Sequence, residues 1–393
     1  MANETPRSER LHIGFFGRRN AGKSSLLNAV TAQELAVVAD FKGTTTDPVY
    51  KSMEILPLGS VTVIDTPGYD DKGELGEKRV KKTKQVLNKT DIAVLVCDAG
   101  DSFGECEKEL KALFAEKNIP YIIAYNKADV IKERKKLEEN EIYVSAKTGE
   151  HIYELKEMIS RAKPDESGRA RIIGDFIKSG DIIVLVTPID AAAPKARLIL
   201  PQQQTIRDVL DSDAVCVVAK ETELEKTLEA LSGKIKLVVC DSQVFGFVNR
   251  VLPKEIPLTS FSILFARYKG LLSAALEGIK RLEPLSDGDT VLISEGCTHH
   301  RQCGDIGTEK LPKWIKEYTK KELNFEFTSG GGFPEDLKKY ALIVHCGGCM
   351  LPEREILHRQ QFAKEQNVPI TNYGILIAKI NGILKRSTEI LGK

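Results

Sequence analysis

A chain of 393 residues is too long for one hydrophobic core of ordinary size, so two or three domains are expected. A net charge of +1 with 29% charged residues excludes the basic footprint of a nucleic-acid binder, and no stretch reaches the roughly 18 apolar residues of a membrane span. The first residues, Met1 to Arg7, lack the apolar core of a signal peptide, which predicts a cytoplasmic protein whose eight cysteines are core thiols or metal ligands, not disulfides.

The chain opens on a strand, Leu11 to Phe16, then Gly17-Arg18-Arg19-Asn20-Ala21-Gly22-Lys23-Ser24, then Ser25 to Val30 with helical apolar spacing. The eight-residue loop fits the phosphate-binding pattern G-x-x-x-x-G-K-S at every specified position, in the strand-loop-helix context its mechanism needs. The glycines let the backbone curl round phosphates, and the loop amides and helix start face the anion. Lys23 is expected to reach the β- and γ-phosphates and the Ser24 hydroxyl to hold Mg2+. Gly17 through Ser25 form the predicted nucleotide loop.

Three later stretches follow strands. Asp65-Thr66-Pro67-Gly68 puts a carboxylate where it can order Mg2+ through water and a glycine amide where it can sense a γ-phosphate. Asn126-Lys127-Ala128-Asp129 ends the strand from Tyr121. The Asp129 carboxylate can accept from guanine N1 and N2 together, a pairing that adenine does not offer. Ser145-Ala146-Lys147 is expected to close over the base. In this order the four motifs resemble the translation-factor class of GTPases over residues 6 to 165. The resemblance implies a Ras-like parallel α/β domain that takes GTP or GDP with Mg2+.

Gly43-Thr44-Thr45-Thr46 resembles the effector loop of that class, with Thr45 expected on Mg2+. Asn20 occupies the position that, in GTPases similar to the tRNA-modification and ribosome-assembly enzymes, helps hold K+, whose charge replaces an arginine finger. Lys23, Asn20 and Thr45 are the expected catalytic groups. Tyr69 stands where Ras-like proteins keep a water-orienting Gln, so another group must serve, and Glu74 and Glu77 are both open to that role.

Ala162 to Arg169 is polar, contains Pro and Gly, and reads as a linker. A second alternating region, 170–265, carries strands at Asp181 to Thr187, Ala214 to Ala219, Lys236 to Cys240 and Pro257 to Phe261, with helices between them: a small parallel α/β domain. Cys216 and Cys240 lie in apolar runs and are expected to be core thiols, while Cys97 and Cys106 are structural in the first domain. A long helical stretch, Ser262 to Leu282, leads to a third region, 270–393. There the strand Thr290 to Ile293 runs out into Cys297-Thr298-His299-His300, and Ala341 to Val344 into His345-Cys346-Gly347-Gly348-Cys349. Both thiol groups fall at strand carboxyl ends, where open α/β sheets form their crevices, so distant residues can converge there.

Soft thiolates at C-x-H and H-C-x-x-C spacing suit zinc or an iron-sulfur cluster. Zinc would be satisfied by three Cys and one His. A [4Fe-4S] cluster on Cys297, Cys346 and Cys349 would have a fourth iron that is open, or held by His299, His345 or Asp305; Cys303 is read as a bystander. At these residues the whole chain resembles the HydF family, the GTPases of [FeFe]-hydrogenase maturation. The resemblance implies three domains: GTP-binding, dimerisation and [4Fe-4S]. It also implies a homodimer or tetramer and a scaffold that takes a diiron precursor from the maturases HydE and HydG and delivers it to the apo-hydrogenase HydA, with no nucleic-acid or membrane partner. Two other readings compete: a tRNA-modifying or ribosome-assembly GTPase with a structural zinc, and a redox enzyme, which would want four thiolates.

Overall fold

The computed structural model of the chain describes residues 5–31, 48–69, 74–164, 169–189, 198–231, 234–296 and 305–392, with residues 74–78 as backbone. It divides into two compact units, 1–167 and 168–393.

The first unit runs β1 (Leu11–Phe16), α1 (Lys23–Thr31), β2 (Val49–Ile55), β3 (Gly59–Asp65), α2 (Glu74–Leu87), β4 (Ile92–Asp98), α3 (Glu105–Glu116), β5 (Tyr121–Asn126), β6 (Glu141–Tyr143) and α4 (Ile152–Arg161). Its six strands order as β2-β3-β1-β4-β5-β6, all parallel except β2 against β3. The composition explains the order. β1 and β4 are near-continuous apolar runs buried along almost their whole length, as central parallel strands must be, whereas β2 (VYKSMEI) is mostly solvated and closes an edge.

The second unit continues with β7 (Ile182–Val186), α5 (Leu200–Leu210), β8 (Val215–Ala219), α6 (Leu224–Ala230), β9 (Ile235–Cys240), α7 (Phe245–Val251) and β10 (Leu258–Ser260). These strands form a parallel sheet of order β10-β9-β7-β8. Then come α8 (Phe261–Tyr268), α9 (Leu272–Gly278), β11 (Thr290–Glu295), α10 (Leu311–Thr319), β12 (Asn324–Ser329), β13 (Tyr340–His345), α11 (Glu353–Glu365), β14 (Ile370–Asn372), α12 (Tyr373–Ile380) and α13 (Leu384–Thr388). The second sheet, β12-β11-β13-β14, is also wholly parallel, so its strands all end on one edge. A single contiguous hydrophobic cluster, from Ile172 to Leu391, packs both sheets.

Two expectations change here. The helical stretch from Ser262 to Leu282 is broken at Gly270, whose φ of +76° is left-handed. The amides of Gly270 and Leu271 turn back onto the carbonyls of Arg267 (3.0 Å) and Ala266 (2.7 Å), the Schellman pattern that ends a helix. Cys240 is wholly buried as expected, but Cys216 is only half-buried, because β8 is an edge strand with two exposed valines, Val215 and Val218. An apolar run reports burial on one face as readily as on two.

Candidate functional site

The loop after β1 folds as its glycines require. A Cβ on Gly17 (φ +143°) would stand 2.2 Å from the Val96 carbonyl oxygen, and one on Gly22 (φ +85°) 2.3 Å from Asn126 Nδ2. Lys23, buried, arches over the loop and donates to the carbonyls of Gly17 (3.1 Å) and Arg18 (2.8 Å). Arg18 points elsewhere: its Nε meets Glu107 Oε1 at 2.5 Å and its Nη2 the Ser102 carbonyl at 2.9 Å, tying the loop to the start of α3. Asn20 is exposed in the left-handed region, φ 61°.

The residues present fit a magnesium ion. Ser24 Oγ lies 2.5 Å from Asp65 Oδ2, while Asp65 Oδ1 is buried with no hydrogen-bond partner, an arrangement that a hydrated cation would complete. Burial holds the Asp65 carboxyl above its usual range, against the pull of Ser24 and Lys23. Gly68 backs onto the nucleotide loop, where a Cβ would meet the Arg19 nitrogen at 3.0 Å. Tyr69 is fixed by its amide on the Gly17 carbonyl (3.3 Å) and its hydroxyl on Glu109 Oε1 (2.6 Å), its ring in the core. Thr45 lies outside the described residues, as do the side chains of Glu74 and Glu77.

The predicted base-recognition loops come together. Asn126 Nδ2 donates to the Ala21 carbonyl at 3.1 Å and its Oδ1 accepts from the Ala146 amide at 3.1 Å, joining the phosphate loop to the Ser145-Ala146-Lys147 turn. Ser145 Oγ donates to Asp129 Oδ1 at 2.7 Å and orients an otherwise exposed carboxylate. Lys127, at φ 64°, pairs with Asp98 at 2.6 Å.

In the second unit the edge where β11 and β13 end carries the sulfur chemistry. Gly296, the last described residue before the segment that holds Cys297, His299 and Cys303, donates its amide to Cys346 Sγ at 3.0 Å across fifty residues of sequence. The Gly348 amide adds a second donor at 3.4 Å, its φ of +67° curling the turn between Cys346 and Cys349. Burial raises the Cys346 thiol above its ordinary value and pushes Cys349 up to about 12; the buried Lys269 ammonium acts the other way on Cys349. Among the described residues no three or more His, Cys, Asp or Glu side chains gather in metal-binding geometry. Two described thiols, with amide donors aimed at one sulfur and a glycine turn between the pair, fit part of the thiolate set that an iron-sulfur cluster needs.

The fourth-ligand candidates divide. His299 lies outside the described residues. Asp305 caps the helical turn that begins at Ile306, with Oδ2 accepting from the Thr308 amide (2.8 Å) and hydroxyl (2.9 Å). His345 is wholly buried with both ring nitrogens engaged, Nδ1 on the Cys346 carbonyl (2.8 Å) and Nε2 on Arg359 (3.1 Å), and burial, then Arg359, lowers its pKa to about 3. Glu107, Glu109 and Arg359 were not signalled by the sequence, since each acts on a residue far away in the chain.

A phosphate loop, a Mg2+ carboxylate and a guanine-reading turn on a Ras-like sheet define a GTPase domain, joined here to a second α/β unit with paired thiols at a sheet edge. Residues 12–127 match the 50S ribosome-binding GTPase family, residues 172–270 the hydrogen maturase F dimerization domain and residues 273–390 the hydrogen maturase F tetramerization domain. The chain belongs to the HydF-type hydrogenase maturase GTPases.

Curated relatives match a smaller part. The tRNA modification GTPase MnmE of Legionella pneumophila (strain Corby) is 37% identical over 156 residues, 39% of this chain and 34% of that protein. The GTPase Der of Wolinella succinogenes is 35% identical over 175 residues, 40% of this chain and 37% of that one. The chain thus spans about a third of the length of these relatives. Among the described residues no helix is long and apolar enough to cross a membrane.

Proposed function

We propose that this chain is a GTP-hydrolysing scaffold and carrier in [FeFe]-hydrogenase maturation. In the first unit Lys23 and the loop amides hold the phosphates, Ser24 and Thr45 the Mg2+, and Asn20 a K+ whose charge stabilises the transferring phosphoryl group. In the second unit Cys297, Cys346 and Cys349 hold a [4Fe-4S] cluster. When bound, that cluster supplies an iron with an uncommitted position. The cargo is a diiron precursor received from HydE and HydG and passed to HydA.

The observation that carries this reading is the amide of Gly296 on Cys346 Sγ, which brings the start of one thiol segment onto the other at a sheet edge. The matched hydrogen maturase domains support a maturation role, and with it iron in preference to structural zinc. Self-association follows the matched domains, and the apolar, exposed edge strand β8 is the surface on which we expect a second copy to add its own β8.

Anaerobic reconstitution tests the reading. Cys297→Ser, Cys346→Ser and Cys349→Ser should each lose most of the iron and fail to activate apo-hydrogenase, since a hard alkoxide replaces a soft thiolate poorly. Cys97→Ser, Cys106→Ser, Cys216→Ser and Cys240→Ser should keep it. A Cys346→Ser protein that matures hydrogenase at the wild-type rate would sink the proposal.

A further inference from the structure

Arg359 heads the largest wholly buried side chains of the described chain, at 1% exposure. A buried guanidinium is costly unless every donor is used, and here they are distributed across the sheet edge that carries the thiols. Nε donates to Glu355 Oε1 at 2.9 Å, Nη2 to the Gly330 carbonyl at 2.6 Å, and Nη1 to Ser294 Oγ at 3.4 Å and His345 Nε2 at 3.1 Å. Its plane lies over the Phe333 ring, 5.0 Å from the centroid. One side chain thus ties the ends of β11 and β13, the loop after β12 and the body of α11.

The pairing decides the state of His345. The Cys346 carbonyl, 2.8 Å from Nδ1, can only accept, so Nδ1 carries the proton. The guanidinium can only donate, so Nε2 presents its lone pair to Arg359. Both partners select the same neutral tautomer, and the lone pair that a metal would need is already engaged. The imidazole also lies beneath the turn between the cysteines, its Cε1 3.9 Å from where a Cβ on Gly348 would stand.

We propose that Arg359 is a positioning residue that holds His345 out of the iron's coordination sphere and keeps the fourth coordination position of the cluster open on the His345 side. The inference rests on the reading of Cys297, Cys346 and Cys349 as cluster ligands. The histidine of the H-C-x-x-C segment then serves the site by orienting the Cys346 carbonyl, not by ligating.

Two measurements test it on the full chain. In apo protein labelled with 15N-histidine, long-range proton-nitrogen correlation should show one imidazole locked as the Nδ1–H tautomer, its signals absent from His345→Gln. In anaerobically reconstituted, reduced protein, the wild type should show no 14N hyperfine coupling that His345→Ala removes. Arg359→Met should gain a strong 14N coupling, lost again in Arg359→Met/His345→Ala. An Nε2–H tautomer, a wild-type coupling abolished by His345→Ala, or an iron-loaded Arg359→Met without new coupling would each overturn the proposal. Should Arg359→Met not fold, the wild-type tautomer and the His345→Ala comparison still judge it. A wild type that takes up no iron refutes the cluster reading, while the tautomer separately judges the clamp.

Discussion

Ser24 Oγ and Asp65 Oδ2 lie 2.5 Å apart, the hydroxyl of the phosphate loop donating to the carboxylate at the end of β3. A cation can take a lone pair of the serine oxygen while the hydroxyl proton stays on Asp65, so both residues report on Mg2+. Ser24→Ala should reduce the gain in GTP affinity on adding Mg2+ by about tenfold, or about 1.4 kcal/mol. Titration with and without the ion measures this, and an unchanged Mg2+ dependence would remove Ser24 from the site.

Asp129 is held by Ser145 Oγ at 2.7 Å, which aims its carboxylate. Asp129→Asn should weaken GTP binding and favour xanthosine triphosphate, because an amide complements a keto group where the carboxylate complemented an amine. Ser145→Ala, losing one hydrogen bond worth about 1 kcal/mol, should weaken GTP about fivefold without changing base preference. Competition binding with the two nucleotides separates these outcomes, and unaltered preference in Asp129→Asn would refute the assignment.

Hydrolysis should run faster in K+ than in Na+, since Tyr69 is committed to Glu109 and the core and does not orient water. Asn20→Ala should abolish the difference between the two salts with nucleotide binding largely retained. Equal wild-type rates in both salts would count against a potassium role for Asn20.

The valines at 215 and 218, 48% and 43% exposed on edge strand β8, give the self-association reading a direct handle. Val218→Lys places a charge on that edge, one of the ways natural edge strands block pairing. Light scattering should show the dimer dissociating at least about tenfold more readily, with GTP hydrolysis unchanged. A dimer as tight as wild type would move the interface elsewhere.

What was legible in the sequence shares one property: a local pattern with a chemical reason. Gly17 to Ser24 could be placed because its two glycines, its lysine and its serine each answer to a phosphate or its ion, and Cys346 because strands of the form Ala341 to Val344 end where a binding edge begins. What was not legible is set by distance or by brevity. Arg18 finds Glu107 across 89 residues and Arg359 finds Ser294 across 65, and no window of sequence encodes such partners. β14 is three residues long, too short for alternation to register, and β12 is an edge strand whose charged setting masks its Phe325 and Phe327. Gly270 did carry a readable signal, a glycine placed to end a helix, but the apolar run on either side of it concealed the break.

The cluster that runs unbroken from Ile172 to Leu391 has a consequence for cooperativity. Asn372 at the end of β14 donates to Ser262 Oγ, in the helix that follows β10, at 3.1 Å, and Thr259 on β10 donates to the Ser387 carbonyl at 2.8 Å. Such contacts leave no seam at which the β7–β10 and β11–β14 sheets could melt separately. Calorimetry of the full chain should therefore resolve two unfolding steps, one for each compact unit, and a cavity cut beneath the second sheet, as in Ile343→Ala, should lower the melting of both sheets together.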